Sequence, residues 1–148
     1  MSTRRALAGN PVAPATPPVP ADVTEAFAAL PEALVSRLSL VRELVFEVAA
    51  TLPECGGLEE YLAWGQPSYR PLRPRVGTAV RLGVHEGERP ALFVHCGTSL
   101  ISDARSFASE LEFSGKRAVL LPLSGPLPVD ELRAFVGLAL TYYAGRSA

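Results

Sequence analysis

The sequence contains few cysteines, no long apolar run and almost no net charge, and each of these features excludes a class of protein. Cys55 and Cys96 are too few for a disulfide scaffold and lack the spacing of a zinc site. The apolar runs stop well short of the roughly 20 residues needed to span a bilayer. Fourteen basic and fifteen acidic side chains give a net charge of −1. We therefore expect no membrane insertion and no binding to nucleic acid.

The remaining composition is that of one globular domain. The chain has 148 residues, of which 48% are hydrophobic and 20% are charged. A short apolar stretch follows Arg4 and Arg5, but Gly9 and Pro11 end it too early for an export signal. We therefore expect a cytoplasmic protein.

The first twenty residues differ from the rest of the chain. They contain five prolines between positions 11 and 20, which prevent both helix and sheet pairing. Small residues around them leave little to bury. The sequence thus predicts a disordered Pro/Ala-rich leader over residues 1–21 and a single domain over residues 22–148.

Helical spacing of apolar residues dominates the first half of that domain. It predicts a short helix from about residue 22 and a long, broadly apolar helix that Pro53 ends. Residues 58–64 are predicted to form another short helix, with two glutamates in its first turn. Residues 65–74 contain three prolines, which indicates a loop or an edge strand.

In the second half of the domain, apolar and polar residues alternate instead of recurring at helical spacing. Residues 78–96 predict an antiparallel hairpin that turns at residues 86–90 and pairs Arg81 with His95. A short helix, a second hairpin and a helix beginning at Pro128 follow. Helices that bracket a mainly antiparallel sheet predict a two-layer α+β fold.

Catalytic signatures are missing. There is no G-x-S-x-G turn, no phosphate loop and no dinucleotide fingerprint, so we expect no cofactor. The predicted hairpin separates His85 and His95 by about 13 Å, which is too far for one metal ion. Cys96 is predicted to face the core, opposite His95, and Cys55 lies at a helix end where a thiol can be exposed. An enzyme is therefore the least supported class.

The residues around the only tryptophan are the hardest to explain by packing. In Trp64-Gly65-Gln66-Pro67-x-Tyr69, an amide and two aromatic rings meet between two predicted elements. They either wall a pocket or plug the end of the core. The arginines that follow either clamp an anion or form a solvated loop. The pocket hypothesis predicts a small anionic or amphipathic ligand held by six residues: Trp64, Gln66, Tyr69, Arg81, His95 and Arg117.

The order of motifs resembles a known family. It consists of an amphipathic helix, Trp64-Gly65-Gln66-Pro67-x-Tyr69, Arg81-Leu82-Gly83, Phe93-x-His95-Cys96, Phe113-x-Gly115-x-Arg117-Ala118 and a closing Pro126-Leu127-Pro128 helix. From about Leu30 to Tyr143 the chain resembles the YdhG-like domains of unknown function. The resemblance implies helices packed on a curved antiparallel sheet, and most members of the family have no assigned activity.

One branch of that family is described as a frataxin-like iron chaperone, which implies weak iron binding through surface carboxylates. Iron prefers clustered oxygen ligands, and the only acidic cluster here is Glu54, Glu59 and Glu60. Three hypotheses result. We favour a non-catalytic ligand-binding or carrier domain, with a weak iron chaperone and a protein-interaction adaptor as alternatives. A homodimer is left open.

Overall fold

The computed structural model describes residues 16–144, which form four helices and a six-stranded sheet. The helices are α1 (Ala21–Ala28), α2 (Glu32–Ala50), α3 (Leu100–Arg105) and α4 (Val129–Leu140). The strands are β1 (Leu58–Ala63), β2 (Gln66–Pro71), β3 (Val80–His85), β4 (Arg89–Phe93), β5 (Glu112–Ser114) and β6 (Ala118–Leu120). Most of the predicted leader, residues 1–15, lies outside the described residues, and residues 16–20 have no regular secondary structure.

The sheet is antiparallel throughout, in the order β1-β2-β3-β4-β6-β5. One large apolar cluster joins all the helices to one face of it, with Leu38, Leu82 and Phe135 among its fully buried members. We call the opposite side the outer face. It carries a separate, smaller apolar cluster of Ala91, Phe93, Ala118 and Leu120. The predicted two-layer α+β architecture is confirmed.

The long predicted helix is confirmed as α2, and its sequence explains its limits. Pro31 immediately precedes it, and Pro53 follows its end at Ala50. Its apolar positions recur at helical spacing and are buried against the sheet and α4. No helix within residues 16–144 is long and apolar enough to cross a membrane.

The prediction of a helix over residues 58–64 is wrong, because this segment forms strand β1. Leucine, glutamate and alanine favour a helix locally, but a tight turn at Trp64-Gly65 pairs the segment with β2 over its whole length. Pairing with β2 thus overrides local propensity. The segment 65–74, predicted as a loop or an edge strand, contains β2, which lies inside the sheet.

The β3–β4 hairpin is confirmed, although its register differs from the predicted one. Arg81 lies opposite Phe93 rather than His95, and His85 lies opposite Arg89. The turn between the strands has positive φ at both Glu86 and Gly87, as in a type I′ turn. Because the difference is two residues, the side chains within β3 and β4 keep their predicted faces.

The end of α4 is held against the segment before β3. Thr78 donates its backbone N–H to the carbonyl of Ala139, and Tyr143 donates to the carbonyl of Val76. Gly77 lies directly against the Leu140 carbonyl. Cys55 is also here: it is fully buried, and its Sγ lies 3.5 Å from the same carbonyl. Burial, followed by the charge of Glu54, raises the pKa of this thiol.

Candidate functional site

A concavity of about 660 Å³ opens on the outer face of the sheet. Alternation along β3 and β4 places Arg81, His85 and Phe93 on this face, while Leu82 and Leu92 point into the core. Within residues 16–144 all four helices contribute to the core cluster on the other face, so side chains of the strands and turns form the walls here. The lining residues are Trp64, Gln66, Arg81, Val84, His85, Glu86, Phe93, Val94, His95, Cys96 and Arg117. Five of the six predicted ligand-binding residues are thus brought together.

The floor of the concavity depends on Gly83. A Cβ at this position would lie 2.4 Å from Gln66 Nε2 and 3.2 Å from Cε2 of Phe93. The glycine therefore lets the amide of Gln66 lie flat across β3, beside the Phe93 ring. In this position Gln66 Oε1 accepts a hydrogen bond from Arg81 Nε at 3.1 Å. Gly83 and Gln66 together fix the direction of the Arg81 side chain.

Arg81 and Arg117 are two neighbouring positive charges without a carboxylate partner anywhere in residues 16–144. Burial and the charge of Arg117 lower the pKa of Arg81, and Tyr61 and Cys96 partly offset this effect. Other arginines of the same face are neutralised: Arg70 pairs with Glu59 at 2.8 Å and Arg89 with Glu112 at 2.9 Å. Among the charged side chains that line the concavity, the two arginines outnumber the one carboxylate, Glu86, which lies 3.6 Å from His85 Nε2.

Trp64 lies at the tip of the β1–β2 hairpin and borders the concavity. It has a φ of 57° and Gly65 has a φ of 75°, so both central residues of the turn are left-handed. The Trp64 side chain is 90% exposed. The alternative in which it plugs the end of the core is therefore wrong.

Tyr69, the sixth predicted ligand-binding residue, is not in the concavity. It is fully buried on the helix side of the sheet, where its hydroxyl donates to Glu60 Oε2 at 2.8 Å. Burial, followed by this hydrogen bond, raises the pKa of Tyr69. Its ring packs edge-on against Phe46 at 5.7 Å. Gln66 and Tyr69 are three positions apart on one strand, so their side chains must point to opposite faces.

The predicted metal ligands do not converge either. Glu60 is 7% exposed, and both its carboxylate oxygens accept hydrogen bonds from Arg42, at 2.7 and 2.8 Å. Glu59 points to the other face of β1 and pairs with Arg70. Within residues 16–144 no group of three or more His, Cys, Asp or Glu side chains could hold a metal ion. Glu60 is therefore a structural ion-pair partner. The predicted acidic cluster is separated, because Glu59 and Glu60 lie on opposite faces of β1 and Glu54 lies exposed in the short turn Pro53–Cys55.

His95 and Cys96 both line the concavity, against the prediction that Cys96 faces the core. Strand β4 ends at Phe93, so strict alternation no longer applies to Cys96, and its thiol is exposed. His95 Nδ1 accepts the backbone N–H of Gly97 at 2.9 Å. Among the hydrogen bonds of residues 16–144, none joins the His95 imidazole to the Cys96 thiol. Phe93 was missed from the predicted site, although its phase with His95 along the strand would have identified it.

We expect Gly83→Ala to disturb the site while leaving the fold nearly unchanged. The new methyl group must displace the Gln66 amide, which is flexible, whereas alanine itself is no worse than glycine in a strand. The Gln66–Arg81 hydrogen bond should be lost, with a stability change below about 1 kcal/mol. Urea unfolding measures the stability, and hydrogen exchange at Arg81 Nε, followed by NMR, measures the bond. Unchanged exchange at Arg81 would contradict the role assigned to Gly83.

No protein-family model matches this chain, and no curated protein or solved structure is significantly similar to it.

Proposed function

We propose that this chain is a cytoplasmic, non-catalytic protein that binds or carries a small anionic ligand in the outer-face concavity. The observation that carries the proposal is the pair Arg81 and Arg117, which share the site and have no carboxylate partner within residues 16–144. We infer the cytoplasmic location because both cysteines are free, and free thiols are typical of a reducing compartment.

The arginine pair supports an anion because of its energetics. Bringing two like charges together, one of them half-buried, costs free energy that a bound anion would offset. Among residues 16–144 Arg81 donates from Nε to Gln66, and in this part of the chain its two terminal nitrogens have no acceptor. A guanidinium binds phosphate or carboxylate through two parallel hydrogen bonds. The two arginines therefore supply the donors of a clamp.

The remaining lining supports a ligand larger than a simple ion. A volume of about 660 Å³ lies in the range of small-molecule sites. Phe93 supplies an apolar floor, and the Gln66 amide and His95 supply polar groups that could orient a ligand. The lining surface is more polar than apolar, which favours a ligand with a charged end over a purely apolar one.

The proposal is tested by calorimetry and thermal unfolding with phosphorylated and carboxylated metabolites. A ligand present at one hundred times its Kd should stabilise the protein by about 2.7 kcal/mol, and should raise the Tm by about 5–10 °C. We expect Arg81→Gln and Arg117→Gln each to weaken binding at least tenfold, because each removes a charge-assisted hydrogen bond.

Arg70→Gln is the matched control, since Arg70 lies on the same face but is already paired with Glu59. It should change affinity less than threefold. Binding that is equal in all three variants, or that does not weaken with added salt, would refute the arginine clamp.

A further inference from the structure

Trp64 is a residue that the fold does not require. Its φ of 57° is unfavourable for a bulky side chain, and the first central position of a type I′ turn prefers Asn, Asp or Gly. Its indole is 90% exposed and therefore adds little to the core. No other ring contacts it within the described part of the chain. Strain together with an exposed apolar ring, at the border of a binding site, is typical of a residue kept for function.

We propose, on the basis of the proposed anion site, that the ligand carries a planar aromatic or heteroaromatic ring that stacks on Trp64. The ring would be joined to the anionic group that Arg81 and Arg117 hold. Nucleoside monophosphates and aromatic carboxylates share this chemistry.

The arrangement of the site supports a ring rather than an aliphatic chain. Trp64 and the arginine pair line the same concavity, whose volume exceeds that of inorganic phosphate several-fold. Aromatic surfaces interact with the faces of planar rings, and stacking of one base on one aromatic side chain changes affinity by about 5- to 150-fold. The apolar Phe93 floor and the indole would thus enclose a ring, while the cations hold its charged end.

Matched pairs of compounds test this inference. Adenosine monophosphate and ribose 5-phosphate carry the same sugar phosphate with and without an aromatic base. Indole-3-acetate and acetate form the corresponding carboxylate pair, with and without an aromatic ring. We expect the ring-bearing member of at least one pair to bind at least fivefold more tightly by calorimetry. The pair that shows the preference distinguishes a phosphate ligand from a carboxylate ligand. Trp64 is the only tryptophan, so its fluorescence should respond to adenosine monophosphate and not to ribose 5-phosphate.

Two variants keep the inference testable in a folded protein. Trp64→Asn creates Asn-Gly, the preferred type I′ sequence, so its Tm should equal or exceed that of the parent. This variant should lose the preference for the ring but keep the arginine-dependent binding of the anion. Trp64→Phe retains a ring at the turn and should preserve most of the preference.

The outcomes separate the two proposals. Equal binding of both members of each pair, still dependent on Arg81, would overturn the stacking inference and leave the anion site standing. A ring preference that survives in Trp64→Asn would overturn the role of Trp64. Binding of none of the four compounds at millimolar concentration would overturn both the anion site and the stacking inference.

Discussion

Replacing Glu60 by glutamine is expected to lower the free energy of unfolding by about 3–5 kcal/mol. Glu60 accepts two hydrogen bonds from Arg42 and one from Tyr69, and the Arg42 and Glu60 side chains are only 6% and 7% exposed. The glutamine amide can satisfy Tyr69, but it leaves the buried guanidinium without a counter-charge. Removing one partner of a buried ion pair costs far more than the intact pair contributes.

Two variants isolate that cause. Glu59→Gln, one residue earlier, breaks the exposed pair with Arg70 and should cost less than about 1 kcal/mol. Arg42→Met added to Glu60→Gln removes the unpaired charge and should recover at least half of the loss. Urea unfolding of the four proteins gives the comparison. If Glu60→Gln and Glu59→Gln unfold at the same urea concentration, the pair is not a buried charge interaction.

Gly77→Ala should destabilise the protein by about 3 kcal/mol. A Cβ there would lie 2.0 Å from the carbonyl oxygen of Leu140 and 2.7 Å from its Cα. Both are backbone atoms, and neighbouring hydrogen bonds from Thr78 to Ala139 and from Tyr143 to Val76 hold the two segments together. Neither segment can move aside without losing those bonds, so the end of α4 should separate from the sheet.

Gly137→Ala is the matched control within α4. The nearest atom to its new Cβ would be Val48 Cγ1 at 3.9 Å, which is an ordinary contact. Because alanine favours a helix more than glycine does, this variant should gain about 0.5–1 kcal/mol. Thermal unfolding compares the two variants, and amide exchange at Thr78 shows whether the contact has opened. A Gly77→Ala protein as stable as the parent would refute the close backbone approach.

The sequence predicted the elements whose pattern is local. Three local patterns each predicted an element that is present: the apolar seam of α2, the alternation of β3 and β4, and the proline before α4. The hairpin register was wrong by two residues, yet the side chains within β3 and β4 were assigned to the correct faces, because the side-chain period of a strand is also two.

The errors come from pairings between distant residues. Nothing near residues 58–64 indicates a strand, because the segment is stabilised by pairing with β2 and by the contact of Glu60 with Arg42 from α2. Once residues 65–74 are taken as a loop, the alternation rule is not applied to them, and Tyr69 is wrongly placed beside Gln66. The prediction for Cys96 was wrong for the opposite reason. The alternation rule was applied beyond Phe93, where the strand ends.

The division of the sheet into a helix-covered face and an outer face has a consequence for how such a protein can evolve. Nearly all the buried apolar residues lie on the helix side, whereas the residues that line the concavity, apart from Phe93 and Val94, do not belong to the core clusters. Substitutions around the concavity can therefore accumulate without eroding the core. In proteins with this architecture the lining of the concavity can vary while the scaffold stays constant, because adjacent residues of a strand point to opposite faces.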